Sequence, residues 1–475
     1  MFTNLDFLNI GKKWIPNNAV YAERQKNYND GRLLYDGKFV DVFGEVWQAM
    51  ATRYGTTWEE AQQVLININL FRTLTETFKI LAFSKEPEIT LEDGKKIDED
   101  VFNNDSFIST MKQAFISAHA QGDGVLKVYT KTDGTIGVSS VNPELWIPVY
   151  NPNNMDEIDC HVVGYIYEVD NQTSTWYGTT QVFVDKYLDI EVHYKGYYEK
   201  RLYKLDYFNI ITERISKPEE EVNKFDKWDD FAVFPFNYGT PSWRTYGMSQ
   251  YADIIPLIDE LVVRISNNSK ILDEHADPQI ITPQSALEHD KTTNQWIYKR
   301  HQALIMDKDG HSPSYLTWDG NIDSSMAQID KVMDLFYMIS GTNSQMFGKD
   351  IAGNLSGDAL AKILLMPISK TKEMVLAEEE AAEKALECVL ALNGKPSKVN
   401  VEFEVGSFNQ LEDISNRVQS EARSGISSIE RAVTDINPRY TPAQIAAEVK
   451  KIKDDKSLDV SSVDDLVNQD TGQIK

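Results

Sequence analysis

Acidic residues and histidines are the side chains of this sequence that could transfer protons or hold a metal ion. Two acidic runs, 98–100 and 378–380, place carboxylates at neighbouring positions. We interpret them as charge runs on exposed faces rather than as general acid–base pairs. His275 lies close to Glu274 and Asp277 in a charged connection, and no H-E-x-x-H or H-x-H pattern occurs. The sequence therefore predicts no metal site and no acid–base centre.

The small number of cysteines and the absence of nucleotide-binding and nucleophile motifs argue against further kinds of chemistry. Cys160 and Cys388 are the only cysteines, so neither a disulfide framework nor a C-x-x-C pair for zinc or redox work is available. The chain has no G-x-x-x-x-G-K-[ST], no G-x-S-x-G and no Rossmann glycine pattern. We therefore expect no catalytic residue, no metal, no cofactor and a protein that is not an enzyme.

The composition is that of a folded, strongly acidic protein. Of 475 residues, 41% are hydrophobic, and 73 acidic against 48 basic residues give a net charge of −25. A protein that grips DNA neutralises phosphates with Lys and Arg, so this balance disfavours tight DNA binding, although solubility alone would also explain it. No apolar run approaches the roughly 18–20 residues that span a bilayer. The first residues lack a signal-peptide pattern, and we expect no membrane association and folding in a cytoplasm.

The first half of the chain combines helical and strand patterns. Residues 1–120 are predicted to be mainly helical, and one amphipathic helix is indicated by Leu70, Leu74, Phe78 and Leu81. Alternating residues on both sides of Asp133-Gly134 predict a β-hairpin. Tyrosine-rich alternating segments between 162 and 233 predict an antiparallel sheet.

Two heptad patterns flank a short β-rich insert. The first has one polar member: Ile254, Ile258, Leu261, Ile265, Asn268 and Leu272. The second consists of Ile322, Met326, Ile329, Met333 and Phe336. Strand-like segments near 280, 296, 303 and 315 lie between them. This order predicts an antiparallel helix pair with a small β module at its tip, although an ordinary helix-hairpin core would give the same two patterns.

A Gly- and Asn-rich loop follows the second heptad helix, which ends at Gly341. Residues 342–355 are more than the two to eight that usually link helices, but a plain connection is the alternative. A long helix is expected from the N-cap Ser356 to Leu392, ending at Asn393-Gly394. Pro367 lies inside it and should kink it by removing one hydrogen bond.

The C-terminal part returns to strand and then to helix. Residues 399–405 alternate as a strand, and 411–455 have the pattern of short helices broken at Gly425 and at Asn437-Pro438. The tail after Lys456 is acidic and polar, and we expect it to be frayed.

This order of elements resembles the portal family of tailed phages, especially the branch typified by the portal of the Bacillus phage SPP1. The resemblance covers about residues 30–450 and is carried by three local matches. Residues 120–129, with Asp133-Gly134 and 141–144, are similar to that family's wing hairpin. Residues 247–259 are similar to the entry of its first stem helix, and 347–348 with 354–360 to its tunnel loop and long helix.

The resemblance implies an α+β, mainly helical portal fold whose wing, stem, clip and crown regions assemble into a ring. By position it assigns the wing to 1–240, the first stem helix to 241–273, the clip to 274–321, the second stem helix to 322–340, the tunnel loop to 341–355, the long kinked helix to 356–394, a wing strand to 395–410, and the crown with the acidic tail to 411–475.

Candidate site residues follow from these assignments. The tunnel loop would line the DNA channel with Thr342, Asn343, Ser344, Gln345, Lys349, Asp350 and Asn354. The clip would dock partner proteins through the aromatic residues Trp296, Tyr298, Tyr315 and Trp318. Those four residues could equally form the miniature core of the insert. Pro367 would kink the helix behind the loop.

The implied function is passage of double-stranded DNA through a ring of about twelve copies at one capsid vertex, during packaging and ejection. The implied partners are the terminase large subunit, head–tail adaptor proteins, and the major capsid and scaffolding proteins, in a virion component assembled in the host cytoplasm. One alternative is another head-completion or minor capsid protein, which a much smaller size would favour. A second is an enzyme acting on nucleic acid, such as a terminase or nuclease, against which the missing motifs argue.

Overall fold

The protein is described from a computed structural model. The described residues are 2–15, 19–53, 57–63, 65–97, 103–176, 179–217, 222–225, 227–276, 280–281, 287–290, 295–298, 314–315, 322–348, 357–405, 430–431, 433, 445–446 and 448–452. The chain divides into two compact units: Met1–Ile351 with Met366–Phe403, and Ala352–Leu365 with Glu404–Lys475. In the second unit Val433 is buried and Lys451 pairs with Glu448 at 3.5 Å.

The α-helices of the described part follow the predicted order. They are α1 (Ala19–Tyr35), α2 (Phe39–Arg53), α3 (Trp58–Gln63), α4 (Leu70–Ala82), α5 (Asn104–Gln121), α6 (Ile255–Ala276), α7 (Ile322–Ser340) and α8 (Gly357–Leu392). Helices α1 to α5 confirm the helical prediction for the first 120 residues. A short strand between α4 and α5 was not predicted.

Helix α4 shows how local sequence makes an amphipathic element. The Asn69 side chain caps it by accepting a hydrogen bond from the Arg72 backbone N–H at 2.9 Å. Its buried stripe contains Phe71, Leu74, Phe78 and Leu81. Leu70 is only partly buried, so Phe71 takes the place that the sequence prediction gave to Leu70. The spacing of three, four and three keeps the stripe on one face.

The strands form several small antiparallel sheets. They are β1 (Glu88–Leu91), β2 (Asp123–Thr130), β3 (Ile136–Ser140), β4 (Trp146–Asn151), β5 (Asn154–Trp176), β6 (Thr179–Tyr194), β7 (Tyr197–Leu205), β8 (Ile211–Arg214), β9 (Val222–Lys224), β10 (Val233–Asn237), β11 (Ile280–Ile281), β12 (Leu287–Asp290), β13 (Gln295–Tyr298), β14 (Ser314–Tyr315) and β15 (Val399–Glu402).

The predicted hairpin and the predicted tyrosine-rich sheet are both present. Strands β2 and β3 pair around Asp133-Gly134, where Asp133 accepts from the Thr135 N–H at 2.9 Å and Gly134 has φ 84°. Strand β10 pairs with the other edge of β2. A second sheet has the order β4-β5-β6-β7-β8, with β9 also paired to β7.

The core of the larger sheet is closed by the N-terminal segment. Phe7, Leu8 and Trp14 pack against buried residues of β4 to β8. Trp14 lies over Gly164, where an added Cβ would come within 2.6 Å of the indole ring. A glycine is therefore required there for the segment to cover the sheet.

A buried ion pair joins the two sheets. Lys127 of β2 and Glu191 of β6 meet at 2.6 Å, and Glu191 also bonds to His193 at 3.2 Å. Burial alone would favour the neutral acid, but the His193 bond and the Lys127 charge outweigh it and lower the pKa of Glu191 to about 2. Glu191 is therefore ionised at neutral pH.

The insert between α6 and α7 contains the predicted short strands. Strand β11 pairs with β14, and β12 pairs with β13. The segments predicted near 280, 296 and 315 are confirmed as strands, and β12 was not predicted. The segment predicted near 303 lies outside the described residues. Residues 411–429 and 434–444 of the predicted C-terminal helices also lie outside them, while short helical stretches occur within 430–452.

Candidate functional site

Helices α6 and α7 form the antiparallel pair that the heptad patterns predict. Asn268, the polar member of the first pattern, is buried and accepts a hydrogen bond from the Ser325 hydroxyl at 2.7 Å. Its amide also points to the Met326 sulfur at 3.8 Å. These contacts join the last part of α6 to the first part of α7. Because they lie next to the insert, they fix the register of the pair where the β module begins.

The first heptad pattern is largely correct and the second is correct in part. Ile254, Ile258 and Leu261 are buried, whereas Leu272 is 53% exposed. In α7 the buried stripe runs through Val332, Phe336 and Ser340, while Met326 is 48% exposed. Phe336 belongs to the predicted seam, and Met326 of that seam contacts Asn268 despite its exposure, whereas the buried Val332 and Ser340 were not part of the predicted pattern.

The start of the predicted tunnel loop is an ordered turn. Gly341 has φ 72°, and the Thr342 N–H donates to the Tyr337 carbonyl at 2.9 Å, which ends α7. The Asn343 side chain then caps a 3-10 turn, Ser344–Phe347, by accepting from the Met346 N–H at 3.0 Å. Of the predicted channel residues, Thr342, Asn343, Ser344 and Gln345 therefore lie together. Lys349, Asp350 and Asn354 lie outside the described residues.

A lysine of α8 holds the end of α7 in place. Lys370 donates to the Ser340 carbonyl at 3.0 Å, and its ammonium lies 5.3 Å from the centre of the Phe78 ring. Burial lowers the pKa of Lys370, and burial together with the Lys370 charge lowers the pKa of His119 to about 3. This contact was not predicted from the sequence, because nothing local in 366–374 identifies the partner of Lys370.

Pro367 lies inside α8 as predicted, and the helix assignment continues through it. The Thr371 hydroxyl donates to the Pro367 carbonyl at 2.8 Å from a fully buried position. Gly394, with φ 79°, ends the helix where Asn393-Gly394 was predicted to do so. The kink itself stays a prediction, and the expected N-cap Ser356 lies outside the described residues.

The four aromatic residues of the insert are only partly placed. Trp296 and Tyr298 lie in β13, opposite His289 and Leu287. Tyr315 lies in β14 opposite Ile280. Their side chains and the whole of Trp318 lie outside the described residues. Both interpretations, docking surface and miniature core, stay open.

Two of the sequence matches, 120–129 and 247–259, meet in a buried cluster that we call the Asp123 cluster. It consists of Arg24, Tyr28, Asp123 and Gly247. Arg24 donates to the Tyr28 hydroxyl at 2.8 Å, and Tyr28 donates to Asp123. The Gly247 N–H lies 3.0 Å from both Asp123 oxygens. Burial raises the pKa of Asp123, and the Arg24 charge, the Tyr28 hydroxyl and the Gly247 N–H oppose that rise.

The backbone around the Asp123 cluster leaves no room for side chains at two glycines. A Cβ on Gly122 would lie 2.4 Å from the Gly247 carbonyl oxygen, and a Cβ on Gly247 would lie 2.0 Å from the Gly122 carbonyl oxygen. The Ser249 hydroxyl donates to the Ala120 carbonyl at 2.6 Å. The segment that leads into α6 is thereby fixed to α1, α5 and β2.

The acidic run 378–380 is not an exposed face, so that prediction is wrong. Glu378 is fully buried, and Glu379 accepts from the Phe403 N–H at 2.9 Å. Only Glu380 has an exposed side chain, paired with Lys384 at 2.7 Å. Successive helix residues point about 100° apart, so three adjacent acids cannot share one environment. The run 98–100 and the side chain of His275 lie outside the described residues.

The described residues contain no group of three or more His, Cys, Asp or Glu side chains arranged to hold a metal ion. None of the described helices has the length and apolarity required to cross a membrane. The interactions found among the described residues are packing contacts, helix pairing and buried polar contacts.

Comparison with known proteins defines the class of this chain. Its sequence matches the family described as phage portal protein, SPP1 Gp6-like, over residues 18–460. The chain belongs to this family and is a phage portal protein, a structural component of the virion. The family expectation drawn from the sequence is confirmed, and so is the α+β fold class. A search of curated proteins gave no significant match.

Solved structures with similar folds come from gene transfer agent (GTA) particles. The neck of an empty GTA particle computed with C6 symmetry is 9% identical with a TM-score of 0.42, covering 77% of this chain and 88% of that one. The virion of a native GTA particle is 11% identical with a TM-score of 0.40 at the same coverage. The neck of a native GTA particle computed with C12 symmetry is 10% identical with a TM-score of 0.41, covering 77% and 89%. These similarities are weak, and the family assignment depends on the sequence match.

Proposed function

We propose that this portal protein assembles into a closed ring of about twelve copies, and that double-stranded DNA passes through the ring during packaging and ejection. One observation carries the proposal: α7 and α8 expose large apolar side chains. Met338 is 66% exposed, Ile339 43%, Met366 67% and Leu376 63%. Exposed apolar surface of this kind marks protein–protein contacts. A contact between two different faces, repeated by rotation, buries such surface in every copy and closes a ring.

The acidic balance supports passage of DNA rather than retention. With a net charge of −25, the wall of a channel would repel phosphate on average, so DNA would not adhere along its length. Residues Thr342 to Gln345 and Lys349 would face the DNA at the channel's narrowest part. The ordered turn before Gly348 would hold Thr342 to Gln345 in place. Lys349, in the segment that follows, would reach the phosphate backbone of the DNA.

The remaining regions are assigned by family position. The wing would comprise 1–240 with 395–410, and the crown would comprise 411–475. The insert 274–321 would be the clip that docks the terminase large subunit and later the head–tail adaptors. Major capsid and scaffolding proteins would contact the assembled ring, which forms in the host cytoplasm. The protein would act without catalysis, leaving ATP hydrolysis to the motor.

The direct test is electron microscopy of the purified protein together with a mass measurement. We expect closed rings with a central hole and a mass of roughly 650 kDa, twelve times the 54.1 kDa subunit. The same preparation should hydrolyse no ATP and bind DNA only weakly, with a steep dependence on salt. A monomer at every salt and protein concentration would contradict the ring, and nanomolar DNA affinity at physiological salt would contradict passage.

A further inference from the structure

Strand β15 has one edge in a sheet and the other against a helix. Its first edge pairs with β1 in the register Ile89 to Val401. The far edge of β1 is covered in turn, because Thr90 also bridges to Lys96 and the Leu91 N–H donates to the Lys95 carbonyl at 2.8 Å. The free edge of β15 faces α8.

Three glutamates of α8 accept hydrogen bonds from that free edge. The Phe403 N–H donates to Glu379 at 2.9 Å, the Val401 N–H to Glu383 at 3.1 Å and the Val399 N–H to Glu387 at 3.4 Å. We call Glu379, Glu383 and Glu387 the glutamate ladder. Because successive N–H groups of a strand point to opposite edges, those of Asn400 and Glu402 point to β1, with which the strand is in register. Both sets of backbone N–H groups of this strand are thus used.

The glutamate ladder can form because four residues of a helix and two residues of a strand advance by nearly the same distance. Four helix residues rise about 6.0 Å, and two strand residues advance about 6.6 Å. Glutamates at every fourth position of α8 therefore meet every second N–H of β15, and the small mismatch accumulates along the ladder. The three distances lengthen in that order, from Phe403 to Val399.

The strand residues that contact the glutamate ladder are buried. Val399, Val401 and Phe403 are at most 8% exposed, so their N–H groups could not turn to water without loss of structure. Lys398 forms an ion pair with Glu387 at 3.0 Å and holds the last carboxylate toward the strand. The exposed neighbour Glu380 takes no part and pairs with Lys384.

We propose that the glutamate ladder occupies the place of a missing third strand and closes the edge of β15 against a strand from a second copy of this chain. An uncovered edge is a template for strand pairing between molecules. The edge of β15 is also self-complementary. In an antiparallel pair centred on Val401, Val399 of one copy would lie opposite Phe403 of the other, and the N–H groups that the carboxylates now cap would pair across the two copies. In a protein assembled from many copies, such pairing would compete with correct assembly.

The test compares three variants of the full chain. The triple variant E379A/E383A/E387A removes all three acceptors. The triple variant E379Q/E383Q/E387Q keeps an amide oxygen at each position and loses only the charge. The double variant E373A/E380A removes two exposed glutamates of the same helix and serves as the matched control. Amide hydrogen exchange at single-residue resolution and particle size by light scattering are measured for each.

In the alanine triple we expect exchange at Val399, Val401 and Phe403 to accelerate at least tenfold. Exchange at Asn400 and Glu402, which pair with β1, should change much less. The same variant should form particles larger than the wild type in proportion to protein concentration. The glutamine triple and the E373A/E380A control should stay within about threefold of wild-type exchange and keep its size.

Two results would overturn the proposal. Unchanged exchange at the three amides would show that the carboxylates do not protect them. Faster exchange with wild-type particle size at high concentration would show that the ladder does not block strand addition. If the alanine triple does not fold, E383A alone decides the first point, since only the Val401 amide should then lose protection. Mixed in increasing amounts with a peptide of residues 397–405, E383A should bind it, and failure to bind would count against a latent strand-pairing edge.

Discussion

The region around the Asp123 cluster and the region of α7 and α8 differ in how far a single subunit buries their side chains. In the first, Asp123, Tyr28 and Arg24 are at most 5% exposed and hydrogen-bond to one another within the same chain, while one terminal nitrogen of Arg24 has no partner among the described residues. In the second, Met338 and Leu376 are more than 60% exposed. We call the first region complete because a single subunit buries its side chains. The second is incomplete in the subunit, and in the proposed ring it would bury this apolar surface against another copy.

The largest expected effect comes from breaking the complete region. Replacing Asp123 by Ala removes the acceptor of the Tyr28 hydroxyl and of the Gly247 N–H and leaves the buried Arg24 without the Asp123 charge. Removing one partner from such a buried network costs about 3–5 kcal/mol of unfolding free energy. We expect D123A to lower the urea midpoint strongly or to yield insoluble protein.

The variant Tyr28→Phe measures the contribution of the Tyr28 hydroxyl to the same cluster, separately from that of the Asp123 charge. It keeps the ring that Arg24 lies against, 5.0 Å from its centre, and removes only the shared hydroxyl. The loss should be about 1–3 kcal/mol. If D123A and Y28F both unfold at the wild-type midpoint, the cluster does not hold the entry to α6, and the contrast between the two regions disappears.

A smaller effect of opposite sign is expected at Glu378, the one buried acid of α8 that lacks a partner among the described residues. Burial, and then the Glu379 charge, raise the pKa of Glu378 well above its usual value. The folded state therefore binds this proton more tightly than the unfolded state. The penalty is absent below the unfolded pKa and grows as pH rises from there toward the folded pKa.

Glu378→Met should therefore stabilise the protein, by about 1–3 kcal/mol near pH 8, and by less near pH 4. Unfolding by urea at both values measures the difference. Glu380→Met, at an exposed position of the same helix, is the control and should show little dependence on pH. A Glu378→Met variant that is less stable than the wild type at pH 8 would show that the carboxylate has a favourable partner.

Sequence patterns predicted those parts of the fold that depend on neighbouring residues. Asp133-Gly134 specified a hairpin because its turn chemistry is local, and Gly341 and Gly394 ended their helices for the same reason. The contact of Asp123 with Gly247 joins residues 124 positions apart, and no local pattern encodes it. The residues 378–380 were misjudged because the identity of a side chain does not reveal which neighbour its helix face meets. Val332 and Ser340, both buried in α7, were left out of the heptad pattern for the same reason.

The candidate site was predictable to the same extent. The order of helix, loop and helix around 341–357 followed from Gly341 and the polar loop, but the capped turn at Ser344–Phe347 did not, nor did the bond from Lys370 to Ser340. The Lys370 bond depends on how α8 packs against α7, whereas the turn depends on the local Asn343 cap, a signal that the sequence carried. Family resemblance added the function, since packing patterns do not distinguish a ring subunit from a monomer.

The smallest effect on the fold is expected in the incomplete region, where it should accompany a large effect on assembly. Met338 and Leu376 are 66% and 63% exposed, so the double variant M338Q/L376Q removes little buried apolar contact within the subunit. Because glutamine keeps a similar length and helix preference, the unfolding free energy should change by no more than about 0.5 kcal/mol. Burying two amides at a contact between copies is unfavourable without partners, so rings should be fewer or absent in micrographs and the mass should shift toward the subunit.

Tyr207→Gln, at an 84% exposed position of the turn between β7 and β8, is the control and should leave rings intact. Whole rings from M338Q/L376Q would show that these side chains face solvent in the assembly, and the contrast would then have to rest on other residues of α7 and α8.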